Sequence, residues 1–195
     1  RNSSAASDVY KRQLYNGYQE KALASRLGIP LIYGIDAVHG HNNVKGATIY
    51  PHNIGLGATG NPEIVRSVSH ATSSEVAATG INWTFAPCIA TPQDYRWGRT
   101  YEGFSSDPKL VLDLGVAAVE GYQSSTKKNP RKVIACAKHF IGDGNTIYGT
   151  GINNLVDRGN TALTKESLKK TLIPAYQAAI DAVSYTHLTL PTSYA

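Results

Sequence analysis

The 195 residues are 42% hydrophobic and 17% charged, with 18 glycines, which suits one globular α/β core. The formal charge of +5 draws on a local cluster, Lys127, Lys128, Arg131 and Lys132, and no basic stretch is interleaved with aromatics, which argues against nucleic acid as a partner. No run of about 18 apolar residues indicates a membrane span, and Cys88 and Cys136 sit in apolar runs without metal-ligand spacing, as small core residues do.

The chain begins with Arg and contains no Met. Its ends, RNSSAASDVYKRQ at 1–13 and VSYTHLTLPTSYA at 183–195, read as non-native, adaptor-like segments that continue no neighbouring periodicity. Setting them aside lowers the formal charge from +5 to +3 and leaves 14–182 for fold reasoning. In that part, Leu14, Tyr18, Ala22 and Leu27 predict a helix over 14–27, with Gly28 as its stop. After Pro30, LIYGIDAVHG reads as a strand with Asp36 near its carboxyl end, followed by His39, Gly40 and His41. Residues 42–60, rich in Gly and Asn, read as a long loop.

Asn61-Pro62-Glu63 opens the next helix: Asn as N-cap, Pro where its missing N–H costs nothing, Glu favourable to the dipole. Its apolar face is Ile64, Val65, Val68, Ala71 and Val76, and Gly80 ends it. INWTFAPCIA at 81–90 is the second strand, leading into a polar loop that carries Asp94, Trp97 and Arg99. Asp107-Pro108 caps a helix with Leu110, Val111, Leu114 and Ala118 on one face.

KVIACAKHFIGDG at 132–144 is the third strand and the most informative stretch. Its apolar run is too short for a helix and ends abruptly in Lys138 and His139, then in glycines. Residues 153–157 read as a short extended segment, and Thr164 as the cap of a final helix with the stripe Leu168, Leu172, Tyr176, Ala179 and Ile180. Pro174 should kink that helix. Strands alternating with helices imply a parallel sheet whose strand ends share one side. Asp36, Arg99, Lys138 and His139 then lie on the side where α/β barrels place their binding groups. As single residues, Lys138 on a rim and His139 as a structural histidine are equally good readings. Four polar groups after three successive strands favour a ligand.

GIPLIYGIDAVHG at 28–40, KGATIYPHNIGLGAT at 45–59, NWTFAPCIA with RWGRTYE at 82–102, and CAKHFIGDG at 136–144 resemble the amino-terminal barrel domain of glycoside hydrolase family 3. The likeness is to its β-glucosidase and β-glucan exohydrolase members. It implies an α/β fold, a partial TIM (β/α)₈ barrel of roughly the first half to two-thirds, since a whole barrel takes about 250 residues. It further implies that Asp36, Arg99, Lys138 and His139 bind the terminal non-reducing glucosyl unit of a β-glucan or β-glucoside. A carboxylate accepts from sugar hydroxyls, and Arg, Lys and an imidazole N–H donate to them.

Retaining glycosidases use a nucleophilic carboxylate and a carboxylic acid/base. The resemblance implies a nucleophile after a later barrel strand and an acid/base from a following domain, both supplied by a missing carboxyl-terminal part of the same chain. No residue here is therefore assigned a catalytic role, neither Asp94, Glu102 nor Asp143, and the fragment is expected to be inactive alone. The resemblance implies no cofactor, and an extracellular, vesicular or periplasmic parent.

His39 and His41 lack a third ligand at plausible spacing, so no metal is assigned, and orienting Asp36 is their expected task. Trp97 reads equally as a sugar platform or as packing beside Arg99. Asn82-Trp83-Thr84 matches a glycosylation acceptor inside a predicted buried strand and is discounted. Two alternatives stand beside the leading reading: a non-catalytic sugar-binding barrel domain, and the β-N-acetylglucosaminidase branch of the same family. Members of that branch carry a second histidine where this chain has Asp143.

Overall fold

The computed structural model describes residues 2–124 and 133–182. The basic cluster at 127, 128, 131 and 132 and the terminal stretch 183–195 lie outside the described residues. Strand β1, Gly34–Ile35, pairs in parallel with β2, Trp83–Thr84, with Gly34 opposite Trp83 and Ile35 opposite Thr84. On the other side of β2 the segment 133–138 also runs parallel, bridging Trp83 to Ile134 and Cys88 to Lys138. Its bonds are Ile134 N–H to Asn82 O, Thr84 N–H to Ile134 O, Cys136 N–H to Ala86 O and Lys138 N–H to Pro87 O, at 2.8–3.0 Å. The three segments therefore point one way, but only the first two form regular strands, and the third expected strand pairs through isolated bridges.

Their regular pairing is much shorter than the expected 31–40, 81–90 and 132–144. Pro87 has no N–H to give the ladder, so pairing breaks between Ala86 and Cys88 and resumes beyond it.

Helix α1, Asn2–Leu23, crosses residue 13 without interruption and stops four residues short of the expected 27. Among residues 9–23 none is buried, so no packed face holds the last expected turn. Gln19 instead fastens α1 to the approach of β1, accepting from Leu31 N–H at 2.9 Å and donating to Leu31 O at 2.6 Å. The expected loop 42–60 contains a short helix, α2, Asn53–Ala58. Its glycines hid it from propensity, yet a Cβ on Gly57 would lie 1.7 Å from Phe104 O, so only glycine lets the two segments touch.

Helices α3, Pro62–Ala78, and α4, Pro108–Gln123, begin where their caps indicated. Asn61 accepts from Glu63 and Ile64 N–H, and Asp107 from Lys109 N–H. They pack through a face richer in small polar residues than the apolar stripe suggested, with Ser69, Thr72 and Ser73 buried beside Val65 and Val76. Gly121 permits the approach, because a Cβ there would stand 2.4 Å from Arg66 O and 2.7 Å from Ser69 Cβ. Leu114, Val111 and Val119 of α4, all fully buried, join Ala86, Ile89 and Ala135 in the main core. Each such Val or Leu contributes about 1.5–3 kcal/mol by burial.

The segment expected to be extended at 153–157 opens as a 3₁₀ turn, Ile152–Asn154, with Asn153 at φ 54° and Asn154 at φ 59°. Asn tolerates that left-handed region better than most residues. Thr164 caps α5, Lys165–Thr171, by accepting from Ser167 N–H. Pro174 splits the expected final helix, and α6, Ile173–Asp181, starts at the break. Tyr176 and Ala179 of α6 then close the core against α4.

Candidate functional site

The carboxyl ends of the three parallel segments carry the polar groups. Asp36 follows β1 directly, and Asn43 Nδ2 donates to its backbone carbonyl at 2.9 Å, bracing the turn. Lys138 ends the third segment with a largely buried side chain that reaches past β2 to Asp36, Nζ to Oδ1 at 2.8 Å. An ammonium placed there needs that carboxylate, since a buried charge without a partner is strongly destabilising.

Arg99 sits on the loop after β2, just before a 3₁₀ turn, Thr100–Glu102. Its Nε and Nη2 donate to Glu102 Oε1 and Oε2, both at 2.7 Å, in a planar two-point contact. Hydrogen bonding to Glu102 raises the Arg99 guanidinium further above its usual range, against the opposing effect of burial. Nη2 also stands 3.0 Å from His139 Nε2. His139 Nδ1 in turn lies 2.6 Å from Asp143 Oδ2. The peptide bonds Lys138–His139 and Phe140–Ile141 are cis.

The four residues singled out from the sequence thus form two linked pairs, Asp36 with Lys138 and Arg99 with His139. Sequence reasoning missed the supports, Glu102 and Asp143. Their only signal was spacing, three residues after Arg99 and four after His139, which has no meaning without the turn that folds them back. Gly142, at φ +107°, lies inside the second of these spans, and Gly144, at φ +75°, follows it so close to Pro92 that a Cβ would sit 2.7 Å from Pro92 Cα.

The histidines behind Asp36 have separate tasks. His39 Nδ1 contacts Tyr50 O at 3.1 Å, and its ring stacks at 3.9 Å on His52, which meets Tyr101 edge-on. Burial, then His39, lowers the His52 pKa below its ordinary 6.5, while Glu102 pulls the other way. His41 is buried against Thr79 Oγ1 at 3.1 Å. Trp97 is 4% exposed and packs with Cys88, Ala90 and Val156, so it is a core residue and no platform. Thr84 is fully buried, in keeping with the discounted glycosylation acceptor.

A cavity of about 530 Å³ opens beneath α1, between Arg12, Asn16, Val44, Glu75 and Thr79, and shares none of the four residues. Among the described residues no three of His, Cys, Asp and Glu could together hold a metal ion. No described helix is long and apolar enough to cross a membrane.

Residues 2–192 match the model of the glycosyl hydrolase family 3 N-terminal domain. The chain belongs to this family. Family 3 relatives include the lysosomal beta glucosidase of Dictyostelium discoideum, 36% identical over 157 residues, which are 78% of this chain and 18% of that protein. The periplasmic beta-glucosidase of Salmonella typhimurium is 33% identical over 181 residues, 92% of this chain and 22% of that protein. The chain therefore spans about a fifth of the length of these curated relatives. Among solved structures, an exo-1,3/1,4-beta-glucanase from a Pseudoalteromonas species superposes with a TM-score of 0.77 at 41% identity, over 93% of this chain and 22% of that one. A mutant beta-glucosidase from Listeria innocua in complex with laminaribiose gives 0.76 at 31% identity, over 94% of this chain and 23% of that one. These findings support a glycoside hydrolase as the parent of this family 3 domain.

Proposed function

We propose that this chain supplies the glycone-binding part of a retaining, exo-acting β-glucosidase that hydrolyses terminal non-reducing β-D-glucosyl residues of β-glucans or β-glucosides. The carrying observation is the contact of Lys138 with Asp36 beside that of Arg99 with His139, at the shared end of three parallel segments. These segments and their covering helices form part of a (β/α)₈ barrel in this reading. Asp36 presents a half-open carboxylate with Lys138 as its donor, and in this reading Arg99 supplies a further donor, a set suited to a neutral polyhydroxylated ring. Each charged hydrogen bond left unpaired by a missing or inverted hydroxyl is costly, which gives selectivity between sugars.

The nucleophile and the acid/base are assigned to regions outside 14–182, so the chain by itself binds without turning over. The test is glucose titration followed by NMR or calorimetry, with Asp36→Asn as the comparison. Saturable binding lost in the variant supports the reading. Binding that is absent in the wild type, or equal in both, ends it.

A further inference from the structure

We propose that Asp143 holds His139 with its proton on Nδ1, so that Nε2 becomes an acceptor which, together with the Glu102 carboxylate, orients Arg99 in the pocket. Arginine has only donors. Its Nη2 lies 3.0 Å from His139 Nε2, so that ring nitrogen must offer a lone pair, and the imidazole proton belongs on Nδ1. Nδ1 is closed off from solvent and has no aligned hydrogen-bond partner. Asp143 Oδ2 is 2.6 Å away, the near carboxylate oxygen able to accept, and pairing it with this N–H takes a rotation of the carboxylate. A buried N–H left unpaired forfeits its hydration without recompense, which drives that rotation.

Arg99 is then fixed at three points: Nε to Glu102 Oε1, Nη2 to Glu102 Oε2, and Nη2 to His139 Nε2. Its Nη1 has no hydrogen-bond partner among the described residues and is left as the donor for a ligand. Asp143 and Glu102 are thus positioning residues, acting through His139 and Arg99. The sequence reading expected the His139 imidazole to donate to a hydroxyl. In this arrangement Nε2 accepts instead.

The consequence for a sugar rests on the function proposed above, but the test does not. The 195-residue chain is labelled with ¹⁵N-histidine and its imidazole nitrogens are observed by long-range ¹H–¹⁵N correlation at pH 8. The His139 signals are identified by their loss in His139→Gln. The expected wild-type spectrum shows His139 protonated at Nδ1 and unprotonated at Nε2, and Asp143→Ala, with unchanged far-UV circular dichroism, loses that signature. Should Asp143→Ala fail to fold, Asp143→Leu, closer in volume and without an acceptor, takes its place. A proton on Nε2 in the wild type overturns the proposal whatever the variants do, and so does an unchanged Nδ1–H signature in a folded variant. Glucose added to the same samples separates the two readings, because absent binding removes the sugar pocket and leaves the tautomer result standing.

Discussion

Lys138 Nζ lies 2.8 Å from Asp36 Oδ1, across 102 residues of sequence and past the end of β2. The pair is unequal: the lysine side chain is 9% exposed and the aspartate 61%. The buried ammonium therefore depends on the carboxylate, whereas the carboxylate keeps an open side for a ligand. In the parent enzyme, Asp36→Asn should lower kcat/KM by two or more orders of magnitude, roughly 2.7 kcal/mol at about 1.36 kcal/mol per tenfold. The amide keeps the shape but loses the charged acceptor. Steady-state kinetics on an aryl β-glucoside check this, and a change smaller than about fivefold would show that Asp36 does not hold the sugar.

The His39–His52 stack predicts a loss of stability on acidification. His52 has its pKa lowered below 6.5, chiefly by burial and then by His39. Between that lowered value and 6.5 the unfolded chain binds a proton that the native one does not, so stability is complete above 6.5 and falls as pH drops through the window. Urea unfolding at pH 7.5 and 5.5 should show a smaller pH-dependent loss in His52→Gln than in the wild type. Identical losses in both proteins would remove His52 as the source.

Much of this architecture was legible in the sequence, for reasons that differ by element. Asn61-Pro62 and Asp107-Pro108 located α3 and α4 because capping is a local, nearest-neighbour interaction. Lys138 and His139 stood out because charge at the end of an apolar run conflicts with a core role. The α2 helix was hidden, since its two glycines argue against a helix until Phe104 is folded onto Gly57. Ser69, Thr72 and Ser73 were passed over because small polar residues look solvated, and they become core only when Gly121 lets α4 close on them. Glu102 and Asp143 were unreadable as supports, because each acts through a side chain whose own orientation is set by long-range contacts.

That α3–α4 contact gives a paired prediction. Gly121→Ala gains up to about 1 kcal/mol of helix propensity but places a Cβ 2.4 Å from Arg66 O, a backbone atom that cannot swing aside. Overpacking of this kind costs about 1–3 kcal/mol, so the variant should unfold at lower urea. Gly17→Ala in α1 meets nothing within 4 Å and should be neutral or stabilising by about 0.5–1 kcal/mol. If the two substitutions moved the midpoint in the same direction by the same amount, propensity and not contact would govern α4.

Cys88 is fully buried, and burial pushes its thiol from the ordinary 9.0 up to about 11, with a backbone hydrogen bond at Ala90, and then Lys138 and Arg99, offsetting only part of the effect. At pH 8 only roughly a thousandth of it is thiolate, the form that attacks thiol reagents. Cys136 is equally inaccessible, at 0% exposure. A chromogenic disulfide reagent at pH 8 should therefore find almost no reactive thiol in the native chain and both thiols in denaturant. The same shift works on stability at high pH. Between 9.0 and about 11 the unfolded chain releases a proton that the native one retains, so stability is present below 9.0 and declines across that window. Cys88→Ala should reduce this alkaline decline. Rapid labelling of the native chain, or an alkaline slope unchanged in Cys88→Ala, would contradict the buried placement of Cys88 beside Lys138.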